Sequence, residues 1–121
     1  MSEIDTSEKG VLETFVRLFN AENFFEAHEA LETVWANRGF GNNPLRGLIQ
    51  LCAALAHFQR GNYAGARSVM DKASALLRAE EVPVEIRGLA DEAHSIIHLH
   101  STGRFPKIRV SACEAIIQAS F

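Results

Sequence analysis

The sequence predicts an all-α fold, a compact bundle of about five helices with tetratricopeptide-like antiparallel hairpins. Three observations predict it. Apolar residues recur at helical spacing in segment after segment. Gly, Pro and Asn fall between those segments, where helices stop and start. No β-alternation of useful length interrupts them. The chain has 121 residues, 47% of them hydrophobic and 22% charged, an ordinary globular balance. That length suits one domain, 1–121, with a core large enough to need no staples.

The first helix is expected from about Ser7 to Asn20, with Val11, Leu12, Phe15, Val16, Leu18 and Phe19 on one side. The second runs from about Asn23, a plausible cap, to Asn37. Two glycines and paired asparagines in Arg38-Gly39-Phe40-Gly41-Asn42-Asn43 break the chain. Pro44 suits the first turn of a third helix reaching about Arg60. Gly61-Asn62 is a stop followed by a cap. The fourth helix, Tyr63 to Ala79, turns Ala66, Val69, Met70, Ala73, Leu76 and Leu77 inward. Pro83 opens the fifth, which ends near His100, and Ser101-Thr102-Gly103 breaks it. Phe105-Pro106 predicts an extended stretch, and Ala112 to Ala119 a short last helix in a tail, 110–121.

Asn23 to Glu32 echoes Asn62 to Asp71 at an offset of 39 residues, about one helix-turn-helix repeat. Two copies fall short of the three a repeat array needs, so a closed bundle is expected rather than a solenoid.

Bulk chemistry excludes several function classes. Net charge is −3, and Lys and Arg are scattered singly, so no nucleic-acid partner is expected. No apolar run is long enough to span a bilayer, so no membrane partner is expected. Met1-Ser2-Glu3-Ile4-Asp5 lacks the basic-then-apolar pattern of a secretion signal. Cys52 and Cys113 form no Cys-x-x-Cys pair, and Cys52 lies in an apolar run as a small hydrophobe. A reducing, cytoplasmic setting follows.

A helical wheel locates the polar groups. In the second helix Leu31, Phe24 and Trp35 centre the apolar face, and His28 lies within that sector. Glu32 follows His28 by four residues and so stands beside it. Glu29 is further out, and Glu26 points to solvent. The third helix is apolar nearly all round, yet Arg46, Gln50 and His57 share one narrow stripe. Ala53 and Ala54 leave room beside it. The wheel therefore pairs His28 and Glu32 with Gln50 and His57 across the two helices, with Arg46 and Glu29 toward the mouth.

Two readings fit this cluster. One is a satisfied polar network that fixes helix register. The other is a ligand or metal site, in which two imidazoles and a carboxylate hold Zn²⁺ or a similar ion. His28-Glu29-Ala30-Leu31-Glu32 spells His-Glu-x-x-Glu, one residue away from the zincin pattern. A second candidate, Asp91, His94 and His98 with Arg87, shares one face of the fifth helix, away from much of its apolar stripe. That placement predicts a solvated surface.

Phe25-Glu26-Ala27-His28-Glu29, Leu31-Glu32, Trp35, Arg46-Gly47-Leu48-Ile49-Gln50, His57, Arg60-Gly61-Asn62, Gly65-Ala66 and Gly103-Arg104-Phe105-Pro106 together resemble the family called domain of unknown function 309. The resemblance covers roughly Phe15 to Arg109. Glu22-Asn23 departs from the glycine that family tends to place before its paired aromatics, and Arg46 stands where another polar residue is common. The resemblance implies a small helical fold and, by a label used for some members, a metal-dependent hydrolase. On that implication a divalent metal would sit at His28, Glu32 and His57. Glu29 would be the general base, with Glu26, Trp35, Arg46 and Gln50 completing the cluster. The alternatives are a binding module for a peptide or small molecule, with Trp35, Arg46 and Gln50 at its lip, or a structural buried polar network in a possible homodimer.

Overall fold

The computed structural model describes residues 3–100 and 104–121. Among these residues six helices follow one another: α1 Thr6–Asn20, α2 Phe24–Asn37, α3 Pro44–Gln59, α4 Tyr63–Leu77, α5 Val84–Leu99 and α6 Val110–Ser120. No strand occurs among the described residues. The five helices expected all form, and the short last helix expected over Ala112 to Ala119 is α6. The break expected at Ser101-Thr102-Gly103 lies outside the described residues.

The helix starts have identifiable causes. Asp5 accepts from Glu8 N at 2.8 Å and caps α1. Asn43 caps α3, with Pro44 in its first turn, and Asn62 caps α4 by accepting from Gly65 N at 3.1 Å. Asn23 precedes α2 but makes no side-chain capping bond. Instead Asn23 N donates to Leu18 O at 2.9 Å, so the end of α1 satisfies the turn.

Consecutive helices pack on one another, and α3 with α4 forms the most extensive seam. Gly47 makes that seam possible: a Cβ there would lie 2.9 Å from Leu76 Cβ and 2.9 Å from Leu77 Cγ. The core joins Phe15 and Phe19 of α1, Phe24 and Leu31 of α2, Leu48, Leu51 and Leu55 of α3, Met70 of α4, and Ile86 and Ile97 of α5. Cys52 and Cys113 are free thiols in this core. Burial pushes the Cys113 thiol up to about 12 and the Cys52 thiol well above its ordinary value.

The segment expected as a tail is a structural part of the bundle. Residues 104–109 belong to no helix or strand, and Asn20 holds them at both backbone polar groups of Ile108. Its Nδ2 donates to Ile108 O at 3.0 Å, and its Oδ1 accepts from Ile108 N at 2.9 Å. Helix α6 then buries Ala112, Cys113, Ile116 and Ile117. Ser120 accepts from Leu45 N at 2.9 Å and donates to Ile116 O at 2.7 Å, so the end of α6 helps cap the start of α3. Among the described residues no helix is long and apolar enough to cross a membrane.

Candidate functional site

Helix α2 buries Phe24, Ala27, Leu31 and Val34, and this rotation brings His28, Glu32 and Trp35 to its border with α3. On the facing side, α3 presents Arg46, Ile49, Gln50 and Ala53. These seven residues line a cleft of about 240 Å³. Arg46 and Gln50 also line an adjoining hollow of about 250 Å³, completed by Asn42, Lys72, Ala75 and Leu76. The two share a wall and together cross the α2, α3 and α4 face.

Local bonds hold the lining in place. The α2–α3 loop contains Gly39, Phe40 and Gly41, all with positive φ. Gly41, at φ 121°, adopts a conformation that suits glycine. Its carbonyl accepts from Trp35 Nε1 at 2.9 Å, which fixes the indole. Phe40 packs edge-on against Trp35 with centroids 5.0 Å apart. Arg46 Nη1 donates to Asn42 Oδ1 at 2.7 Å, and its guanidinium lies 5.9 Å from the Trp35 ring.

His28 is contacted at both ring nitrogens. Nδ1 lies 2.9 Å from Phe25 O, and Nε2 lies 3.2 Å from Glu32 Oε1. A carbonyl only accepts, so Nδ1 carries the hydrogen of the first contact. The second contact is satisfied by a further hydrogen on Nε2, or by a cation between Nε2 and the carboxylate. Gln50 carries the other open valence. Its Oε1 is buried and accepts no hydrogen bond from the described residues, a condition that costs about 1–3 kcal/mol if left unmet.

The predicted cluster is assembled in part. His28, Glu32, Trp35, Arg46 and Gln50 meet in the cleft. His57 does not line it: its Nδ1 lies 3.2 Å from Asn62 Nδ2, where α3 turns into α4. Glu26 and Glu29 are exposed and line neither hollow. The fully buried polar network does not form, because no polar or charged residue is buried among the described residues. Arg46, Gln50 and His57 are half-buried, at an edge that α2 leaves open.

The metal expectation meets this geometry with two donors. His28 Nε2 and Glu32 Oε1 are close enough to share an ion, but His57 does not bring a third ligand atom to them. Catalytic zinc sites use three protein ligands, so the set His28, Glu32 and His57 does not fit such an ion as it stands.

Asp71, which the sequence did not single out, stands with His94 and His98 where α4 meets α5. His98 Nε2 lies 3.1 Å from Asp71 Oδ1. His94 lines a third hollow, of about 420 Å³, with Asp91, Arg87, Arg78 and Ser74. The face is solvated as expected, with Asp71, Asp91 and His94 exposed and His98 half-buried. The shared face of Arg87, Asp91, His94 and His98 was legible in advance, and the approach of Asp71 was not.

Comparison with known proteins fits the α2–α3 motifs. The model of the family described as domain of unknown function 309 matches residues 12–69. The resemblance read from the motifs therefore holds over those residues. The chain is also 34% identical over 87 residues to the uncharacterized protein YpuF of Bacillus subtilis (strain 168), an alignment covering 67% of this chain and 48% of that protein. The chain spans about half the length of this curated relative. No solved structure matches.

Proposed function

We propose that this chain, whose residues 12–69 match the domain of unknown function 309, is a binding module that takes a small ligand of peptide chemistry in the α2–α3 cleft. The observation that carries the reading is Gln50 Oε1, a buried acceptor without a donor among the described residues. A ligand amide N–H would satisfy it. Arg46, held by Asn42, offers its remaining N–H groups to a carbonyl or carboxylate. Glu32, about half-exposed at its side chain, accepts from an amine. Trp35 supplies a fixed aromatic wall. A hollow of about 240 Å³ admits one residue-sized group, and the adjoining hollow extends the path toward Lys72.

The test is an NMR titration with free and N-acetylated dipeptides, read at the Trp35 indole N–H and the Gln50 side-chain amide. Both signals should move together. Gln50→Met should abolish the movement of the Trp35 signal while leaving the free protein as stable as before or more so, because it removes an unsatisfied buried acceptor. Shifts absent at millimolar peptide, or unchanged in Gln50→Met, overturn the reading.

The 3.2 Å approach of His28 to Glu32 favours a second reading, the metal-dependent hydrolase. The backbone carbonyl on Nδ1 would orient the ring for coordination through Nε2. The ion would supply Lewis acidity, and a ligand beyond His28 and Glu32 would have to complete its shell. Elemental analysis of purified protein decides this. Stoichiometric metal that disappears in His28→Ala supports the hydrolase, and metal content unaffected by His28→Ala removes it.

A further inference from the structure

The α4–α5 face carries a different chemistry. His94 and His98 stand one turn apart on α5, with ring centroids 4.1 Å apart and planes at 26°. Asp71 reaches them from α4. One ligand atom from each of the three residues lies within 4.8 Å of the others, the group of this kind found among the described residues. An ion with bonds of about 2.1 Å sets tetrahedral donors about 3.4 Å apart. The His98–Asp71 separation of 3.1 Å already meets that spacing, and the third ligand atom, on the exposed His94, lies within 4.8 Å of both.

As a bare ion pair the arrangement gains little. Asp71 is 65% exposed at its side chain, and such pairs contribute only marginally in water. Two imidazoles and one carboxylate from two helices are instead a complete three-ligand set, with positions left for water. The donor types also choose the ion. Imidazole suits zinc, cobalt, nickel and copper, whereas calcium and magnesium need more oxygen ligands than Asp71 provides. Arg87 and Arg78 line the hollow beside His94 and oppose a cation by repulsion, while Asp91 in the same lining offsets them.

We propose that Asp71, His94 and His98 form a surface site for a divalent first-row transition-metal ion, bridging α4 and α5. The site is independent of the α2–α3 cleft and shares no residue with it. Its occupation would cross-link two helices that are joined by the residue 78–83 connection.

The experiment is titration of chelator-treated protein with Zn²⁺ by calorimetry and with Co²⁺ by visible absorption. Wild type should bind one equivalent at this site. At a free-ion concentration about 100 times Kd, the unfolding constant should fall about 100-fold. His98→Ala and Asp71→Asn should each weaken binding at least about ten-fold. All three ligands are at least partly exposed, so these variants should remain folded, and melting curves in chelator confirm it. His28→Ala should bind as wild type does. Failure of wild type to bind either ion overturns the proposal. So does binding that survives in the double variant His94→Ala/His98→Ala, and so does binding lost in His28→Ala, which would move the ion to the cleft.

Discussion

The α2–α3 cleft and the α4–α5 face both set a histidine beside a carboxylate, but they are held differently. In the cleft, His28 is fixed by Phe25 O, Trp35 by Gly41 O and Arg46 by Asn42. On the face, His98 touches Asp71 and His94 lies against His98, while Asp71 is largely in water. The cleft is preorganised by its own backbone and loop, so its lining is part of the fold. The face has donors but little scaffolding, so an ion would have to order it. Substitutions should therefore act on stability in the first region and on metal affinity in the second.

The strongest break targets the seam on which the cleft rests. Gly47 follows Arg46 and lies against Leu76 and Leu77 of α4. Gly47→Val should cost about 2–3 kcal/mol, because Leu76 Cβ is too near the backbone to move aside. Tm should fall by roughly 10 °C. Calorimetric melting checks this, and a variant as stable as wild type would show that α3 and α4 are not so closely seated.

How far each region was legible follows from what a wheel can encode. Rotation about a helix axis is readable from one segment. It turned Phe24 and Leu31 inward and set His28, Glu32 and Gln50 at a common border, while Trp35, expected at the centre of the apolar face, stands half-buried at that border. Height along the axis is lost when residues are projected onto a circle. Gln50 and His57 share a stripe, yet seven residues separate them by about 10.5 Å of rise. His57 thus reaches Asn62 at the far turn instead of the cleft. Asp71 was invisible for a different reason: its meeting with His98 depends on how α4 lies against α5, which no single segment specifies. Helix α6 shows the same limit. Its apolar positions were readable, but not that Ser120 would cap α3.

An intermediate effect probes the far end of α2. Arg38, just after that helix, donates to Glu8 through Nε and Nη2, both at 2.7 Å. The pair ties α1 to the loop that seats Trp35. Hydrogen bonding from Arg38 holds the Glu8 carboxyl below its ordinary 4.5, and burial only partly opposes this. A depressed folded value means that the pair stabilises above the unfolded value and ceases to do so as pH falls through the folded one. Glu8→Gln should cost about 1 kcal/mol at neutral pH. Its deficit should shrink below pH 4.5 and vanish once wild-type Glu8 is itself protonated. Urea melts of both proteins at neutral and acidic pH measure this, and a deficit constant with pH would dissociate the pair from stability.

The smallest effect separates the two regions most directly. In chelator, Asp71→Asn removes an exposed carboxylate paired with His98 among the described residues, so stability should change by no more than about 0.5 kcal/mol. His28→Ala removes a ring that is 19% exposed at its side chain and bonded to Phe25 O. Its cost should be about 1 kcal/mol, the usual worth of such a bond. Adding Zn²⁺ should then raise the melting temperature of His28→Ala and leave that of Asp71→Asn nearly fixed. The order of the two variants in chelator reports preorganisation, and their response to metal reports ligation. If Asp71→Asn were the more damaging change without metal, the α4–α5 contact would be a structural ion pair, and the distinction between a built cleft and an ion-ordered face would fail.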